Sequence, residues 1–314
     1  MKKGNTSTKS RTVWHYDAFT TQAGKGNPAG IVPAADGLSQ EEMQQIAKAV
    51  GYNETVFICQ SQMAEYRFRY FTPGQEIELC GHGTVAAVSH LCRTTDLAGK
   101  SELTIETKAG LLPVDIQEEK GQFLITMAQA RPAFLPFSGN VEHLANSMGL
   151  QVTDIAEELP ILYGSTGTWT LLVPISGLEV FSRMKPQNQL FPQILTEKPG
   201  CSVHPFCLGA YSPQRHTHGR HFSSAFSGTV EDPVTGTAAG VLGAYLARYV
   251  EEEQSEYSFL MEQGQELGRD GEVAVRILRD DHELRVFITG TAVLVDRWQV
   301  NYLQENDTRT TDNL

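Results

Sequence analysis

Two stretches of almost wholly small and apolar residues, about half a chain apart, constrain what this sequence can fold into. The first is residues 83–93 (GTVAAVSHLCR) and the second is residues 236–250 (GTAAGVLGAYLARYV). A helix that is apolar all round has to be buried on every side. Both stretches begin with Gly-Thr and are flanked by strand-like segments. The sequence therefore predicts an internal duplication, in which short strands wrap closely around each buried helix.

The segments around these helices are mostly strand-like. Short apolar or alternating runs predict strands at residues 13–19, 55–59, 66–70, 103–106, 111–116, 123–127, 168–173, 203–208, 273–278, 284–288 and 292–295. A capping-box pattern at Ser39 and Glu42 predicts a further helix that stops before Gly51. Another short helix is predicted at residues 141–148, and residues 131–137, with two prolines, are predicted to be a linker.

This pattern indicates an α+β protein of two similar domains. We predict an N-terminal domain over residues 1–130 and a C-terminal domain over residues 131–297. Residues 1–11 are polar and are expected to be disordered. Residues after about 297 are expected to pack back on the first domain.

Composition excludes several classes of partner. The 314-residue chain has a formal charge of −12, which argues against a general nucleic-acid binder and against docking on anionic lipid. The basic N-terminus has no apolar stretch after it, unlike a signal peptide, and no apolar run approaches the ~18 residues of a membrane span. Five scattered cysteines without a CxxC motif indicate reduced thiols. We predict a cytoplasmic protein with no nucleic-acid or membrane partner.

The two helix starts predict an anion site. Each helix N-terminus presents unpaired backbone N–H groups and the positive end of its dipole. Two such ends from similar halves would meet at a shared cleft and bind a substrate carboxylate.

Five short motifs, in order along the chain, carry a family resemblance. They are GNPA at residues 26–29, NETVF at 53–57, FTP at 71–73, ELCGHGT at 78–84 and DPVTGTAAG at 232–240. Together they resemble the PhzF-like (phenazine biosynthesis PhzC/PhzF) family, over about residues 13 to 295. One departure is Gly83, which stands where the family's Gly-His-Pro-Thr turn has proline.

The resemblance implies the diaminopimelate-epimerase-like fold. In that fold each of two similar domains is a strongly bent antiparallel sheet around one central helix, and the active site lies between the domains. The resemblance also implies a cofactor-independent isomerase or epimerase that acts on a small carboxylate-bearing metabolite, with no metal and no organic cofactor. A homodimer is expected from the resemblance and from the prevalence of symmetric dimers.

Site residues follow from the motifs. Glu54 falls on the glutamate proposed as the family's general acid/base, and His82 and Asp232 fall on its other polar active-site positions. A carboxyl group that loses water between two domains holds its proton more firmly and can shuttle it. We therefore expect these three residues to be catalytic. The substrate-binding residues are expected to be Asn27, Cys80, Gly81, Gly83, Thr84, Gly236, Thr237 and Ala238, with Thr237 in place of a common serine.

Cys80 leaves a second mechanism open. Diaminopimelate epimerases and proline racemases share the fold and use two cysteines, one at each helix start. Here the second helix start, residues 233–236, has no cysteine, which argues against a two-thiol mechanism. A hybrid of Glu54 and Cys80 stays open, because a helix N-terminus lowers a thiol pKa; a small buried cysteine is the simpler interpretation.

Three other functions compete with this interpretation. Residues 81–86 (GHGTVA), with Glu106 further on, fit a dinucleotide-binding turn, although the flanking segments do not alternate between strand and helix. Residues 216–221 (HTHGRH) suggest a metal site, but Arg220 stands where a metallohydrolase needs aspartate, so we expect an exposed polar loop. A carboxylate-binding protein that kept the fold and lost catalysis is the third alternative.

Overall fold

A computed structural model of the chain describes residues 6–280 and 283–305. Within these ranges, 19 strands form one continuous sheet that surrounds the central helices. The first strands are β1 (Thr6–Ala18), β2 (Asn27–Val32), β3 (Glu54–Cys59), β4 (Tyr66–Phe71), β5 (Glu76–Ile77), β6 (Glu102–Thr107), β7 (Gly110–Glu119) and β8 (Gln122–Ala128). They are followed by β9 (Ala133–Pro136), β10 (Leu162–Ser165), β11 (Trp169–Pro174), β12 (Ser202–Cys207), β13 (Thr217–Gly219), β14 (His221–Phe222), β15 (Glu231–Asp232), β16 (Glu256–Gln263), β17 (Gly271–Asp280), β18 (Glu283–Gly290) and β19 (Ala292–Glu305). The α-helices are α1 (Gln40–Val50), α2 (Gly81–Thr94), α3 (Val141–Ser147), α4 (Phe191–Ile194) and α5 (Gly236–Tyr249).

The order of strand pairing occurs twice. In the first half β1 is antiparallel to β2, β2 is parallel to β3, β3 is antiparallel to β4, and β4 is parallel to β6, which continues antiparallel through β7 to β8. Strands β10, β11, β12, β13, β16, β17 and β18 repeat this order in the second half. Antiparallel pairing of β8 with β18 joins the two halves. An internal duplication accounts for the repetition.

Each half is wrapped around one buried helix, as the resemblance implied. All residues of α2 from His82 to Cys92 are buried, and α5 is buried over most of its length. The prediction of an α+β fold is confirmed. Both helices have 14 residues, but α2 begins two residues earlier than predicted. The two helix starts therefore align at Gly81 and Gly236, and not at Gly83 and Gly236.

Two expectations about the ends of the halves were wrong. Residues 6–11, predicted to be disordered, belong to β1 and pair with β19, because one face of this polar segment can remain in solvent while its backbone bonds to the neighbouring strand. Residues 1–5 lie outside the described residues. Residues 131–137, predicted to be a linker, contain β9, which pairs with β10. Strand β19 runs along β1, and the domain bounds at residues 130 and 297 stay a prediction.

The capping pattern of α1 is confirmed in detail. Ser39 accepts from the backbone of Glu42 and Glu42 bonds back to Ser39, so both groups of the capping box are present. Gly51 ends the helix in the left-handed conformation, at φ 76°. No described helix has both the length and the apolar character needed to cross a bilayer.

The HTHGRH segment is buried from Thr217 onward, in strands β13 and β14 and at Arg220 between them, and the expectation of an exposed loop holds only for His216. The physical reason is that His218, Arg220 and His221 each have a buried polar partner. Arg220 forms two hydrogen bonds to Glu231, at 2.8 and 2.6 Å. His221 lies against His204, with 3.4 Å between their Nδ1 atoms. These partners lie outside the motif, 11 and 17 residues away along the chain, so the motif gives no sign of them.

His218 is the most buried of these histidines, with no exposed surface. Its Nδ1 lies 3.2 Å from Glu262 and its Nε2 lies 3.1 Å from Glu266, so both ring nitrogens face carboxylates. Glu262 also accepts from the backbone N–H groups of Tyr211 and Ser212, at 2.6 and 3.2 Å. Burial lowers the pKa of His218, but the hydrogen bonds to the two glutamates outweigh burial and raise it above the usual value.

This cluster predicts a pH-dependent contribution to stability. Because the folded pKa of His218 is above its unfolded value of about 6.5, the stabilisation is complete below about pH 6.5 and is lost as pH rises through the folded pKa. Chemical denaturation of wild type and His218→Gln should therefore show a difference in unfolding free energy that shrinks as pH rises. A difference that is constant or grows with pH would contradict the double carboxylate contact.

Close packing of α5 against its sheet gives a second prediction. A methyl group on Gly243 would lie 2.6 Å from Cγ1 of Val275. We expect Gly243→Ala to lower the unfolding free energy by about 1–3 kcal/mol despite the better helix propensity of alanine. Val275→Ala removes the opposing methyl, so the double variant should lose less stability than the two single losses added together. If the losses of unfolding free energy of the two single variants, measured by urea denaturation, add up to that of the double variant, the sheet does not restrict this position.

Candidate active site

The side chains that could act as an acid or a base come from three neighbouring elements of the first half. Strands β2 and β3 run parallel with Ala29 beside Glu54, which places Asn27 and Glu54 at the same end of the two strands. Helix α2 begins beside this end, with Cys80 as its N-cap and His82 in its first turn. The local sequence explains the arrangement, since Gly81 and Gly83 flank His82 and allow close packing of the helix start.

Glu54, His82 and Cys80 form one contact cluster. Oε2 of Glu54 lies 3.1 Å from Nε2 of His82, and their side chains are 18% and 7% exposed. Apart from this ion-pair contact with His82, the same buried Glu54 oxygen has no hydrogen-bond donor among the described residues. Sγ of Cys80 lies 3.4 Å from Nδ1 of His82. The cluster therefore contains a buried carboxylate oxygen that is paired with a single side chain, the His82 imidazole.

Burial and neighbouring charge set the protonation of two of these groups. Burial alone lowers the pKa of His82, but the adjacent Cys80 and Glu54 outweigh burial and raise it well above the usual value. Burial raises the pKa of the Cys80 thiol, while His82 offsets part of that rise. The pKa values of His82 and Cys80 are thus both raised, and each group affects the protonation of the other.

Asp232 comes from the second half and is held by donors from both halves. Its Oδ1 accepts from Nδ2 of Asn27 at 2.8 Å and from Nδ2 of Asn53 at 3.0 Å, and its Oδ2 accepts from Oγ1 of Thr235 at 2.6 Å. Asn27, which is fully buried, also donates to the carbonyl of Val234 at 2.9 Å. Three donors fix this carboxylate, in contrast to Glu54.

The two helix ends differ in how their first N–H groups are used. In α2 the Gly83 N–H donates to Sγ of Cys80 at 3.3 Å. Proline, which the family has at this position, carries no N–H, so the thiol cap depends on Gly83. In α5 the N-cap Thr235 makes no side-chain cap, because its hydroxyl donates to Asp232. The first turn of α5 therefore keeps its backbone donors for a ligand.

Most of the predicted site residues meet at this place. Asn27, Glu54, Cys80, His82 and Asp232 lie in the two contact groups described above. The predicted backbone donors lie at the two helix starts, at Gly81, Gly83, Gly236, Thr237 and Ala238. The Ile288 side chain lies near both helix starts, since methyl groups placed on Gly81 and Gly236 would lie 3.8 and 2.8 Å from its Cδ1.

Thr84 is the exception among the predicted binding residues. Its side chain is fully buried, and its hydroxyl contacts the Cys80 carbonyl at 2.8 Å and the Tyr70 hydroxyl at 2.7 Å. Its backbone N–H also donates to the Cys80 carbonyl, at 3.0 Å. The hydroxyl and the backbone N–H of Thr84 are therefore both used within the fold, and its substrate-binding role stays a prediction.

Three residues of the site were not predicted. Asn53 and Thr235 belong to the NETVF and DPVTGTAAG motifs. Their place in these motifs is the only sequence feature that could have identified them as site residues. Gln263, at the end of β16, donates to the Asp232 carbonyl at 2.7 Å and accepts from the Thr235 N–H at 3.2 Å. A buried polar residue ending a strand of alternating burial is the signal for Gln263, but β16 itself was not predicted.

The dinucleotide alternative does not fit this arrangement. Residues 81–86 begin a helix inside a sheet that is mostly antiparallel, whereas the dinucleotide-binding fold has a mostly parallel sheet. The carboxylate of Glu106, which would bind a ribose, instead accepts from Ser61 at 2.6 Å and lies 3.5 Å from Arg67.

A separate cleft of about 590 Å³ lies beside the loop that follows β1. Lys25, Arg215, Glu262 and Glu272 contribute charged groups to its lining, and Phe19 forms an apolar part of the wall. None of Glu54, His82 and Asp232 lines this cleft. The cations of the cleft are already paired, Lys25 with Asp270 and Arg215 with Glu272.

Comparisons with known proteins agree on one family. The sequence profile of the family described as phenazine biosynthesis-like protein matches residues 16–297. The chain is 48% identical to the uncharacterized isomerase YfhB of Bacillus subtilis, over 91% of this chain and 97% of that protein. It is 32% identical to the trans-2,3-dihydro-3-hydroxyanthranilate isomerase of Pseudomonas aeruginosa, over 83% of this chain and 88% of that protein.

A solved structure agrees with both matches. The crystal structure of a Bacillus anthracis phenazine biosynthesis protein of the PhzF family is 53% identical and has a TM-score of 0.91, covering 93% of this chain and 99% of that one. The chain therefore belongs to the phenazine biosynthesis-like (PhzF) family and is an isomerase of that family.

Proposed function

We propose that this isomerase moves a proton on a small carboxylate-bearing metabolite, with Glu54 as the acid/base group and without a metal or organic cofactor. The observation that carries the proposal is the buried Glu54 oxygen, which lies 3.1 Å from Nε2 of His82 and has no further hydrogen-bond donor among the described residues. A proton carrier needs an oxygen that is free to receive the proton. Asp232, with three donors, has no such freedom and serves to position the site.

The substrate carboxylate is proposed to bind at the start of α5. The N–H groups of Gly236, Thr237 and Ala238 precede the first intrahelical hydrogen bond, which Ala239 donates to the Thr235 carbonyl. This helix end has no side-chain cap, so an anion would satisfy its donors and its dipole. The same donors would stabilise negative charge that develops on the substrate during proton removal.

The proposed step needs no redox partner. The Glu54 carboxylate takes a proton from a carbon next to an activating group, and the electron pair of that C–H bond moves into the adjacent conjugated or carboxyl group. Protonated Glu54 then returns the proton to another carbon. His82, with its raised pKa, places positive charge beside Glu54, and Cys80 is a second donor in reach of His82.

The substrate itself is open within this class. The Pseudomonas relative is named for a dihydro-hydroxyanthranilate, which is an amino acid on a partly reduced ring. Cyclic dienyl carboxylates therefore belong in a substrate panel beside amino acids and hydroxy acids. A cytoplasmic homodimer remains our expectation; the five cysteines are all free and buried, which agrees with a reducing compartment.

The first test is proton NMR in D2O with that panel. We expect deuterium entry or a new isomer with wild type, and a loss of rate of roughly 100-fold to 10,000-fold with Glu54→Gln, because the amide cannot accept the proton. Glu118→Gln, on the exposed part of β7, is the matched control for loss of one charge and should keep full activity.

Other outcomes would identify other functions. Activity that survives Glu54→Gln and disappears in Cys80→Ala would move the acid/base role to the thiol. Binding of panel compounds without any exchange or isomer would favour the carboxylate-binding alternative.

Asn27 gives a second test, of the link between the halves. Asn27→Leu removes the donors to Asp232 and Val234 from a fully buried position. We expect it to lower the unfolding free energy by about 1–3 kcal/mol and to lower kcat as well, because Asp232 loses a fixed partner. Denaturation and steady-state kinetics together check this; unchanged kcat in a destabilised variant would limit Asn27 to a structural role.

A further inference from the structure

We propose that Glu54, Cys80 and His82 form a three-ligand binding site for Zn²⁺, at which the metal acts as an inhibitor of the enzyme. One ligand atom from each of these residues lies within 4.8 Å of the other two, and no other such group of three occurs in residues 6–280 and 283–305. The binding event needs no assumption about the reaction. Only the inhibition rests on the proposed function, because it requires Glu54 as the acid/base.

The distances between the ligand atoms fit a tetrahedral zinc ion closely. With bonds of about 2.0–2.3 Å to oxygen, nitrogen and sulfur, neighbouring ligand atoms stand about 3.3–3.6 Å apart. Here Oε2 of Glu54 and Nε2 of His82 are 3.1 Å apart, and Nε2 of His82 and Sγ of Cys80 are 3.9 Å apart. Side-chain shifts of a few tenths of an ångström would adjust these two pairs, and the third pair, Oε2 of Glu54 and Sγ of Cys80, lies within 4.8 Å.

The chemistry of the three donors selects among metals. A thiolate, an imidazole and a carboxylate are a typical zinc set, whereas Mg²⁺ and Ca²⁺ require oxygen donors. Zinc binding would displace the protons of Cys80 and His82, and the resulting thiolate and the carboxylate together carry two negative charges, which match Zn²⁺. At the buried Glu54 oxygen the metal would replace one contact, the ion pair with His82, and both groups would become its ligands. A fourth position would be left for water, as in open zinc sites.

The histidine-rich segment is not an equivalent site. His218 faces Glu262 with one ring nitrogen and Glu266 with the other, so these groups do not converge on one point. His221 lies against His204. His216 belongs to this segment and accepts from the backbone N–H of Leu260. A variant of His216 therefore serves as a control for metal binding at the histidine-rich segment.

The consequence for the enzyme follows from the shared atom. Zinc would take Oε2 of Glu54 as a ligand, and the same oxygen then cannot receive a substrate proton. Micromolar zinc should therefore stop isomerisation, and a chelator should restore it. The metal site and the acid/base site would be the same three side chains in two states.

The test uses the full-length protein, reduced and treated with a chelator, and titrates it with Zn²⁺ in competition with a chromogenic chelator. Co²⁺ serves as a spectroscopic substitute. We expect one metal per chain and a thiolate-to-cobalt charge-transfer band. Cys80→Ser should abolish the band and weaken zinc binding at least about tenfold.

Two variants are controls for binding elsewhere. Cys92→Ser alters another buried cysteine of α2, and His216→Asn alters the histidine-rich segment; both should keep the band and the stoichiometry. If Cys80→Ser fails to fold, Glu54→Gln keeps the thiolate and should weaken zinc binding. No stoichiometric binding by wild type, a band that survives Cys80→Ser, or a band lost in either control would overturn the proposal.

The two proposals fail separately. Zinc binding that depends on Cys80, in a protein with no isomerase activity on any carboxylate, would support the metal site and count against the proposed function. Loss of isomerisation in Glu54→Gln without metal binding by wild type would overturn the zinc site alone.

Discussion

The carboxylate of Asp232 is the interaction on which the rest of the site depends. It belongs to the second half, yet two of its three donors, Asn27 and Asn53, come from the first. Its third donor, the Thr235 hydroxyl, is the residue that would otherwise cap α5. One partly buried acceptor thus links the two halves beside the β8–β18 pairing and leaves a helix end without a side-chain cap. The same contacts that hold the fold together therefore create the place for an anion.

Duplication supplies the frame, and departures from symmetry supply the chemistry. The strand order repeats, and both central helices have 14 residues. Their N-caps differ: a thiol that accepts the Gly83 N–H in α2, and a hydroxyl turned to Asp232 in α5. The thiol cap requires a residue other than proline at position 83, since only a residue with an N–H can donate to the Cys80 sulfur.

Much of this arrangement could be predicted from the sequence, for identifiable reasons. The all-apolar helices, the capping box of α1 and most strands depend on local pattern, and local pattern is visible in one chain. The prediction of Glu54, His82 and Asp232 as site residues depends on the five motifs that resemble a family. No periodicity in the sequence would bring together residues so far apart. Gln263 was missed because its partners are backbone atoms of another segment, and the motif around Thr84 gave no sign that its hydroxyl would contact Tyr70. Pairing between polar groups of different segments is a tertiary property that local pattern does not reveal. The burial of most of the HTHGRH segment was not predicted for the same reason.

The unequal helix ends also have a stereochemical consequence. Every group that can carry a proton at the site, Glu54, His82 and Cys80, comes from the first half, while the second half contributes a carboxylate with filled hydrogen bonds and the backbone donors of α5. A substrate anchored by its carboxylate on α5 would turn one face of its carbon skeleton toward all the proton carriers. A proton taken from that face can only be returned to it. We therefore expect a suprafacial shift along the skeleton, and not the inversion of a stereocentre that a pair of thiols on opposite faces achieves.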